Sequence, residues 1–261
     1  MKHELVIFDL DDTLSESKTD LTKEMGDLLF KLLKQTKVGI ISGCAHAQFD
    51  KQLLKQLESS VFPNPNSLYN LYLMPSSGSQ LFQYDVMKSW YRVYHDTLLL
   101  REKVLICEEF RMACAVTGIM PKDDLEYGEI GEDRDSQITF SMLGQNAPSS
   151  VKKPYDPDQS KRLKIAAIMN KSIGWGYEAT VGGATSIDVT RKGSNKASGV
   201  NKLLEYIKID KSKTVFIADA LFPGGNDHSV ISTGVECIST KNPKETAEII
   251  KKLLGEDNAA I

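Results

Sequence analysis

Leu5-Val6-Ile7-Phe8-Asp9-Leu10-Asp11-Asp12-Thr13-Leu14 is the stretch on which the reading of this chain turns. Its first four residues are an unbroken apolar run with β-branched members, the pattern of a strand buried on both faces of a parallel sheet. The run breaks on Asp9, and a second carboxylate follows at Asp11. Two carboxylates so close at a strand end repel, unless a cation holds them or one is protonated. Two further runs repeat the pattern: Val38 to Ile41 ends in Ser42-Gly43, and Val215 to Ala218 ends in Asp219. Ligands of open parallel sheets bind outside the carboxyl ends of the strands. Separate strands therefore deliver polar groups to one edge.

Helical periodicity fills the intervals. Leu21, Met25, Leu28, Leu29, Leu32 and Leu33 form an amphipathic stripe, with Asp20 placed to cap it. A second helix is expected from His46 to Glu58, and a third carries Val200, Leu203, Leu204 and Ile207. Asn242 caps a last helix, with Pro243 in its first turn and Gly255 as its stop. Strand and helix alternating at both ends predict an α/β fold with a Rossmann-like parallel sheet. The middle reads differently. Helices over Thr97–Thr117 and Ser160–Lys171 flank a strand in which Ile138, Phe140 and Met142 alternate with Gln137, Thr139 and Ser141, the signature of a half-exposed strand. Thr185 to Val189 reads as another strand. The pattern predicts an α+β domain, residues 85–186, inserted into a core domain of residues 1–84 and 187–261.

Composition narrows the function classes. The chain has 261 residues, and its 32 Lys+Arg against 35 Asp+Glu leave no basic surplus for coating nucleic acid. With 41% hydrophobic and 26% charged residues it has the makeup of a folded protein, not of a disordered one. Cys44, Cys107, Cys114 and Cys237 are scattered without a CxxC spacing, so neither a zinc site nor a disulfide framework is expected. No apolar run approaches the roughly 18 residues of a membrane span, and the first residues are too soon acidic for a secretion signal. The expectation is a reduced, cytoplasmic protein with neither nucleic acid nor membrane as partner.

The residues at the expected edge suit phosphoryl chemistry. A set of hard carboxylate oxygens fits magnesium, which commonly binds together with substrate phosphate. Asp219 and the turn Gly224-Gly225-Asn226-Asp227 extend that set. Ser42, the amides after it and Lys196 would neutralise a phosphoryl group. A carboxylate can then attack phosphorus and form an aspartyl phosphate. Taken alone, Asp-x-Asp-x-Thr would also suit a solvated turn or a calcium loop, but a calcium loop requires glycine at the sixth position, where Leu14 stands.

Phe8-Asp9-Leu10-Asp11-Asp12-Thr13-Leu14 resembles the DxDxT signature of the haloacid dehalogenase superfamily of phosphotransferases. Ile41-Ser42-Gly43 matches its second motif, Lys196 its third, and Ala218-Asp219 with Gly225-Asn226-Asp227 its fourth. Gly182-Gly183-Ala184-Thr185-Ser186-Ile187-Asp188-Val189 and Phe222-Pro223-Gly224-Gly225-Asn226-Asp227-His228 resemble the eukaryotic-type phosphomannomutases within it. The resemblance implies that Asp9 is the nucleophile and Asp11 the general acid and base. It implies that Asp9, Asp11 through its backbone carbonyl, Asp219 and nearby Asp227 hold Mg2+, and that Ser42, Gly43 and Lys196 bind the phosphoryl group. The insert becomes a cap between the second and third motifs, with Arg134, Ser186 and Asp188 contacting the substrate. Related mutases pair through their caps, so a homodimer is implied. Where those mutases carry further cap arginines, this chain has Gln145 and a stretch near Lys152, and neither side chain reproduces the bidentate fork of a guanidinium. Ala218 stands where glycine is usual, and Ala220-Leu221 where lysine and threonine are usual. The expected activity is a magnesium-dependent phosphatase acting on a small phosphorylated metabolite, a sugar phosphate. The alternatives are a hexose phosphate isomerase and a non-catalytic sugar-phosphate-binding protein.

Overall fold

In the computed structural model, which describes residues 2–61, 65–87, 89–122, 126–174 and 176–256, the apolar runs are adjacent strands. β1 (Leu5–Asp9) is buried throughout and lies between β2 (Lys37–Ile41) and β10 (Thr214–Ala218), parallel to both. β3 (Leu71–Met74) extends the sheet beyond β2, and β11 (Glu236–Ser239) extends it beyond β10, again in parallel. β4 (Gln80–Asp85) and β5 (Ser89–His95) complete the edge as an antiparallel hairpin. The order is β11-β10-β1-β2-β3-β4-β5.

Alternation along β1 sends side chains into two cores. Val6 and Phe8 join Leu28, Leu29, Leu57 and Ile250, which come from α1 (Lys23–Leu33), α3 (Lys55–Val61) and α9 (Pro243–Leu254). Leu5 and Ile7 join Val200, Leu203 and Leu204 of α8 (Lys196–Ile207). Each such fully buried aliphatic or aromatic side chain stabilises the fold by about 1.5–3 kcal/mol. Helices on both faces make this the expected α/β sheet.

The helix ends are instructive. Asn242 accepts the Glu245 N–H at 3.0 Å, and Gly255 closes α9 at φ +77°, as expected. α1 does not start at Asp20. Its cap is Thr22, whose hydroxyl accepts the Met25 N–H at 3.2 Å. The Leu21 N–H is taken by the Gln52 carbonyl at 2.7 Å, which holds the chain out of helix up to that point. Nor is the second helix uniform: α2 (His46–Phe49) runs through a π-helical turn, Asp50–Leu54, into α3. After β3, the short turn α4 (Pro75–Gly78) holds Ser76 and Ser77 at φ 49° and 56°.

Two compact units result, one of residues 1–95 and 194–261, the other of residues 96–193. The junctions expected at 85 and 186 therefore lie further along the chain. The β4–β5 hairpin belongs to the large sheet through β3. β9 (Ser186–Arg191) belongs to the second unit, because β7 (Gln137–Ser141) and β8 (Tyr177–Gly182) pair with it on either side, and the chain re-enters the first unit only after it. With β6 (Gly131–Asp133) these form an antiparallel sheet, β6-β7-β9-β8. α5 (Leu100–Thr117) and α7 (Ser160–Ser172) pack on one face through Ile106, Phe110, Ile165 and Met169, and α6 (Ser149–Lys152) lies between β7 and α7 in sequence.

β7 corrects one expectation. Its polar row is not solvent-exposed: Gln137, Thr139 and Ser141 are 1–3% exposed. They are satisfied internally, Gln137 Nε2 donating to Thr139 Oγ1 at 2.8 Å and the Ser141 hydroxyl to the Gly144 carbonyl at 2.9 Å. Period two separates two environments, and here the polar one is a buried network.

Candidate active site

Strand register assembles the site. Asp9 lies opposite Ile41, and Phe8 opposite Ile217. Asp9, Ser42 and Asp219 therefore leave neighbouring parallel strands at the same carboxyl edge. Thr13 ties two of these ends together: its fully buried hydroxyl donates to Asp219 Oδ1 and accepts the Asp219 N–H, both at 3.2 Å. The loop after β2 is stitched to the turn after β3, with Ser77 N–H donating to the Ser42 carbonyl and Ser76 N–H to that of Cys44, both at 2.8 Å. The Ser42 hydroxyl is buried and accepts the Cys44 N–H at 3.2 Å, while Gly43 between them is half-buried.

Lys196 enters from the first turn of α8. A reciprocal cap fixes that turn: Asn195 Oδ1 accepts the Ser198 N–H at 3.0 Å, and the Ser198 hydroxyl accepts the Asn195 N–H at 3.1 Å. Glycine at 199 lets the helix come close, since a Cβ there would sit 2.8 Å from Gly78 Cα. The buried Lys196 Nζ donates to Asp9 Oδ1 at 2.5 Å and to Asp227 Oδ1 at 2.6 Å. Asp227 is turned inward by a backbone bond from its N–H to the Ala220 carbonyl at 3.3 Å.

Carboxylate oxygens of Asp9, Asp219 and Asp227 lie within 4.8 Å of one another. Asp227 Oδ2 is buried and has no hydrogen-bond partner. An uncompensated buried carboxylate oxygen is costly, and three acids against one ammonium leave the cluster short of positive charge. Hard oxygen donors around such a deficit fit a magnesium ion. Burial pushes the Asp9 carboxyl up to about 7, with the charge of Asp227 adding to the rise and that of Lys196 opposing it. Burial, followed by the charge of Asp227, also raises Asp219. For Lys196 burial acts downward, yet the charges of Asp9 and Asp227 outweigh it and hold the ammonium above its ordinary range.

The Asp11 carboxylate stands apart from this cluster. Its Oδ1 accepts the Lys18 N–H at 2.9 Å and the Gln52 side-chain amide at 3.2 Å. The intervening turn puts Asp12 at φ 59° and closes through Asp12 N–H to the Ser15 carbonyl at 2.7 Å.

Arg134, Ser186 and Asp188 are in the second unit. Arg134 Nη2 donates to Glu132 Oε2 at 2.6 Å. Asp188 Oδ1 accepts the Thr139 hydroxyl at 2.7 Å; burial raises its carboxyl, opposed first by the charge of Arg134. Ser186 pairs with Ser141 on one side and Gly182 on the other. A Cβ on Gly182 would lie 2.2 Å from Asp188 Oδ2, so glycine makes room for that carboxylate. Gln145 gives its amide to the carbonyls of Ile130 and Thr139, at 3.0 and 3.2 Å.

Sequence reading missed two buried polar side chains. Arg162, 1% exposed, pairs with Asp156 at 2.9 Å and donates to the Gly182 and Gly183 carbonyls at 2.9 and 2.8 Å, fixing the turn before Ser186. No sequence signal marks it. Gln52 did leave a signal, as the middle of three glutamines, Gln48, Gln52 and Gln56, spaced four apart along one helical run.

A family model described as haloacid dehalogenase-like hydrolase matches residues 6–242. The chain belongs to the haloacid dehalogenase-like hydrolases. This hydrolase is 26% identical over 262 aligned residues to "Phosphomannomutase" of Encephalitozoon cuniculi, covering 96% of this chain and 93% of that one. It is also 26% identical over 258 residues to "Phosphomannomutase" of Saccharomyces cerevisiae, covering 96% and 94%. Among solved structures, Plasmodium falciparum IMP-nucleotidase superposes with a TM-score of 0.71 at 20% identity, over 99% of this chain and 64% of that one. A haloacid dehalogenase-like hydrolase of Bacteroides thetaiotaomicron superposes with a TM-score of 0.63 at 13% identity, over 96% and 99%. These structural likenesses establish the shared α/β fold. Among the described residues, no helix of this hydrolase is long and apolar enough to cross a membrane.

Proposed function

We propose that this enzyme is a magnesium-dependent phosphatase of a small phosphorylated metabolite, a sugar phosphate, working through an aspartyl phosphate on Asp9. The observation that carries this reading is the group of buried Asp9, Asp227 and Lys196 with half-buried Asp219, in which one Asp227 carboxylate oxygen is left without a partner. Asp9, Asp219 and Asp227, with the Asp11 backbone carbonyl, would hold the ion. When bound, magnesium supplies positive charge that keeps Asp9 ionised and offsets charge on the phosphoryl oxygens.

The chain's own groups do the rest. Lys196 orients the Asp9 carboxylate, and Ser42 and the Gly43 N–H, at the neighbouring strand end, donate to phosphoryl oxygens. A carboxylate oxygen of Asp9 bonds to phosphorus as the ester oxygen leaves, and the leaving oxygen takes a proton from Asp11. Asp11, now ionised, accepts a proton from the water that hydrolyses the acyl phosphate. The unit of residues 96–193 acts as the cap, with Ser186 and Asp188 presenting oxygens to sugar hydroxyls.

Hydrolysis is favoured over transfer by the state of Arg134. A mutase must hold a second phosphate at the far end of a bisphosphorylated sugar. Arg134 is already paired with Glu132 and near Asp188, so its charge is largely offset. Gln145 is tied to main-chain carbonyls. Incubating the protein with magnesium and a panel of hexose and pentose phosphates should release inorganic phosphate. No release from any of them, with Asp9→Asn indistinguishable from wild type, would refute the proposal.

One observation favours a second reading, a phosphomannomutase-like isomerase: the relatives bearing that name align along almost the whole chain. A coupled assay from mannose 1-phosphate, with and without a bisphosphate activator, separates the two. Isomerisation faster than hydrolysis would reverse the ranking.

A further inference from the structure

We propose that Gln52 is a positioning residue for Asp11, fixing the orientation of its carboxyl through one of its two oxygens. The inference rests on the reading of Asp11 as general acid. Gln52 is fully buried, where a polar amide is costly unless its hydrogen bonds are made. Its amide is committed on every side. Nε2 donates to Asp11 Oδ1 at 3.2 Å and to the Ser15 hydroxyl at 2.8 Å, while Oε1 accepts Gln48 Nε2 at 2.9 Å. Asp11 Oδ1, an acceptor, decides the orientation of the amide: reversing it would set Oε1 against that oxygen.

The backbone serves the same end. Gln52 is the middle residue of the π-helical turn Asp50–Leu54, a local widening that recurs at functional sites. Its carbonyl accepts the Leu21 N–H at 2.7 Å. The segment from Asp11 to Leu21 is thus held at both ends by one residue, through its side chain and its main chain. On Asp11, the Lys18 N–H and the Gln52 amide converge on Oδ1, and among the described residues no hydrogen bond ends on Oδ2. Both donors hold Oδ1, so Oδ2 is the oxygen left to face the substrate's leaving group. In the first half-reaction Asp11 Oδ2–H gives its proton to the departing alkoxide oxygen as the bond from Asp9 to phosphorus forms. In the second, the resulting carboxylate takes a proton from the attacking water.

Leaving-group dependence distinguishes this role from a merely structural one. A sugar alkoxide needs the proton, whereas p-nitrophenolate departs as a stable anion. kcat/KM reports the first half-reaction alone, so it reads the acid step. Gln52→Leu is expected to lower kcat/KM for a hexose 6-phosphate by about ten- to a hundredfold and to change that for p-nitrophenyl phosphate by no more than about threefold. Gln52→Glu, which keeps the size but places a second carboxyl against Asp11, should show the same selective loss. It serves in place of the leucine variant if that one folds poorly. Ser15→Ala, which removes the other Nε2 contact, should leave both rates near wild type. Equal losses on both substrates, or no loss on either, would overturn the positioning role. Asp9→Asn, assayed in parallel, tests the underlying reading separately: it should be inactive on both substrates whatever Gln52 does.

Discussion

At the scale of single residues, the chemistry of Asp9 is governed by its burial and by its two charged neighbours. Its folded-state pKa of about 7 lies above the ordinary 3.8, so between those values the folded protein binds more protons than the unfolded chain. Stability from this group is therefore present at low pH and is lost as pH rises from about 4 to about 7. Without magnesium, the melting temperature should fall across that window, and Asp9→Asn should flatten the decline. Differential scanning calorimetry checks this, and an identical slope in the variant would contradict it. Asp9 and Asp219 were legible in the sequence because one ends an apolar run and the other directly follows one, and Asp227 and Lys196 through the motifs they complete. Gln52 and Arg162 were not. A polar side chain with buried partners has the same letter as one in water, and those partners, Asp11, Ser15 and Gly182, are distant in sequence.

At the scale of elements, backbone contacts position the chemistry. α8 carries Lys196 and meets the turn after β3 at Gly199 and Gly78 with no side chain between them. Gly199→Ala would force α8 away from Gly78 Cα and the Ser77 carbonyl, and should cost about 1–3 kcal/mol in urea unfolding, with a larger loss of activity than of stability as Lys196 moves. In the second unit, Arg162→Met leaves Asp156 buried without its cation. That should cost about 3–5 kcal/mol, readable as a lowered urea midpoint. Strands and helices of the main sheet were legible because apolar runs and 3.6-residue stripes report burial directly. The π-turn was not, since one widened turn hardly disturbs that stripe. The exposure of the β7 polar row was misjudged for a related reason: alternation reports polarity, and the Thr139–Asp188 bond that buries it joins strands far apart in the chain.

At the scale of the whole molecule, the α/β class followed from strand ends and the insertion from the change of pattern between them. The junctions were misplaced because β4–β5 and β9 carry no mark of which sheet they join. Pairing partners decide that. Residues 96–193 own a hydrophobic core built from Ile106, Phe110, Phe140, Ile165 and Ile187. Expressed alone, this segment should fold and show a cooperative thermal transition by circular dichroism; a featureless melt would count against its independence. The first unit instead gathers its site from both ends of the chain, Asp9 with Asp219 and Asp227. The claim that this gathering makes Asp9 the phosphoryl acceptor is tested most directly by acid-quenching the enzyme during turnover of a hexose phosphate with magnesium and mapping the modified peptide by mass spectrometry. The account predicts a phosphoryl group on Asp9, absent from Asp9→Asn. Turnover with an unmodified Asp9, undiminished in Asp9→Asn, would contradict it.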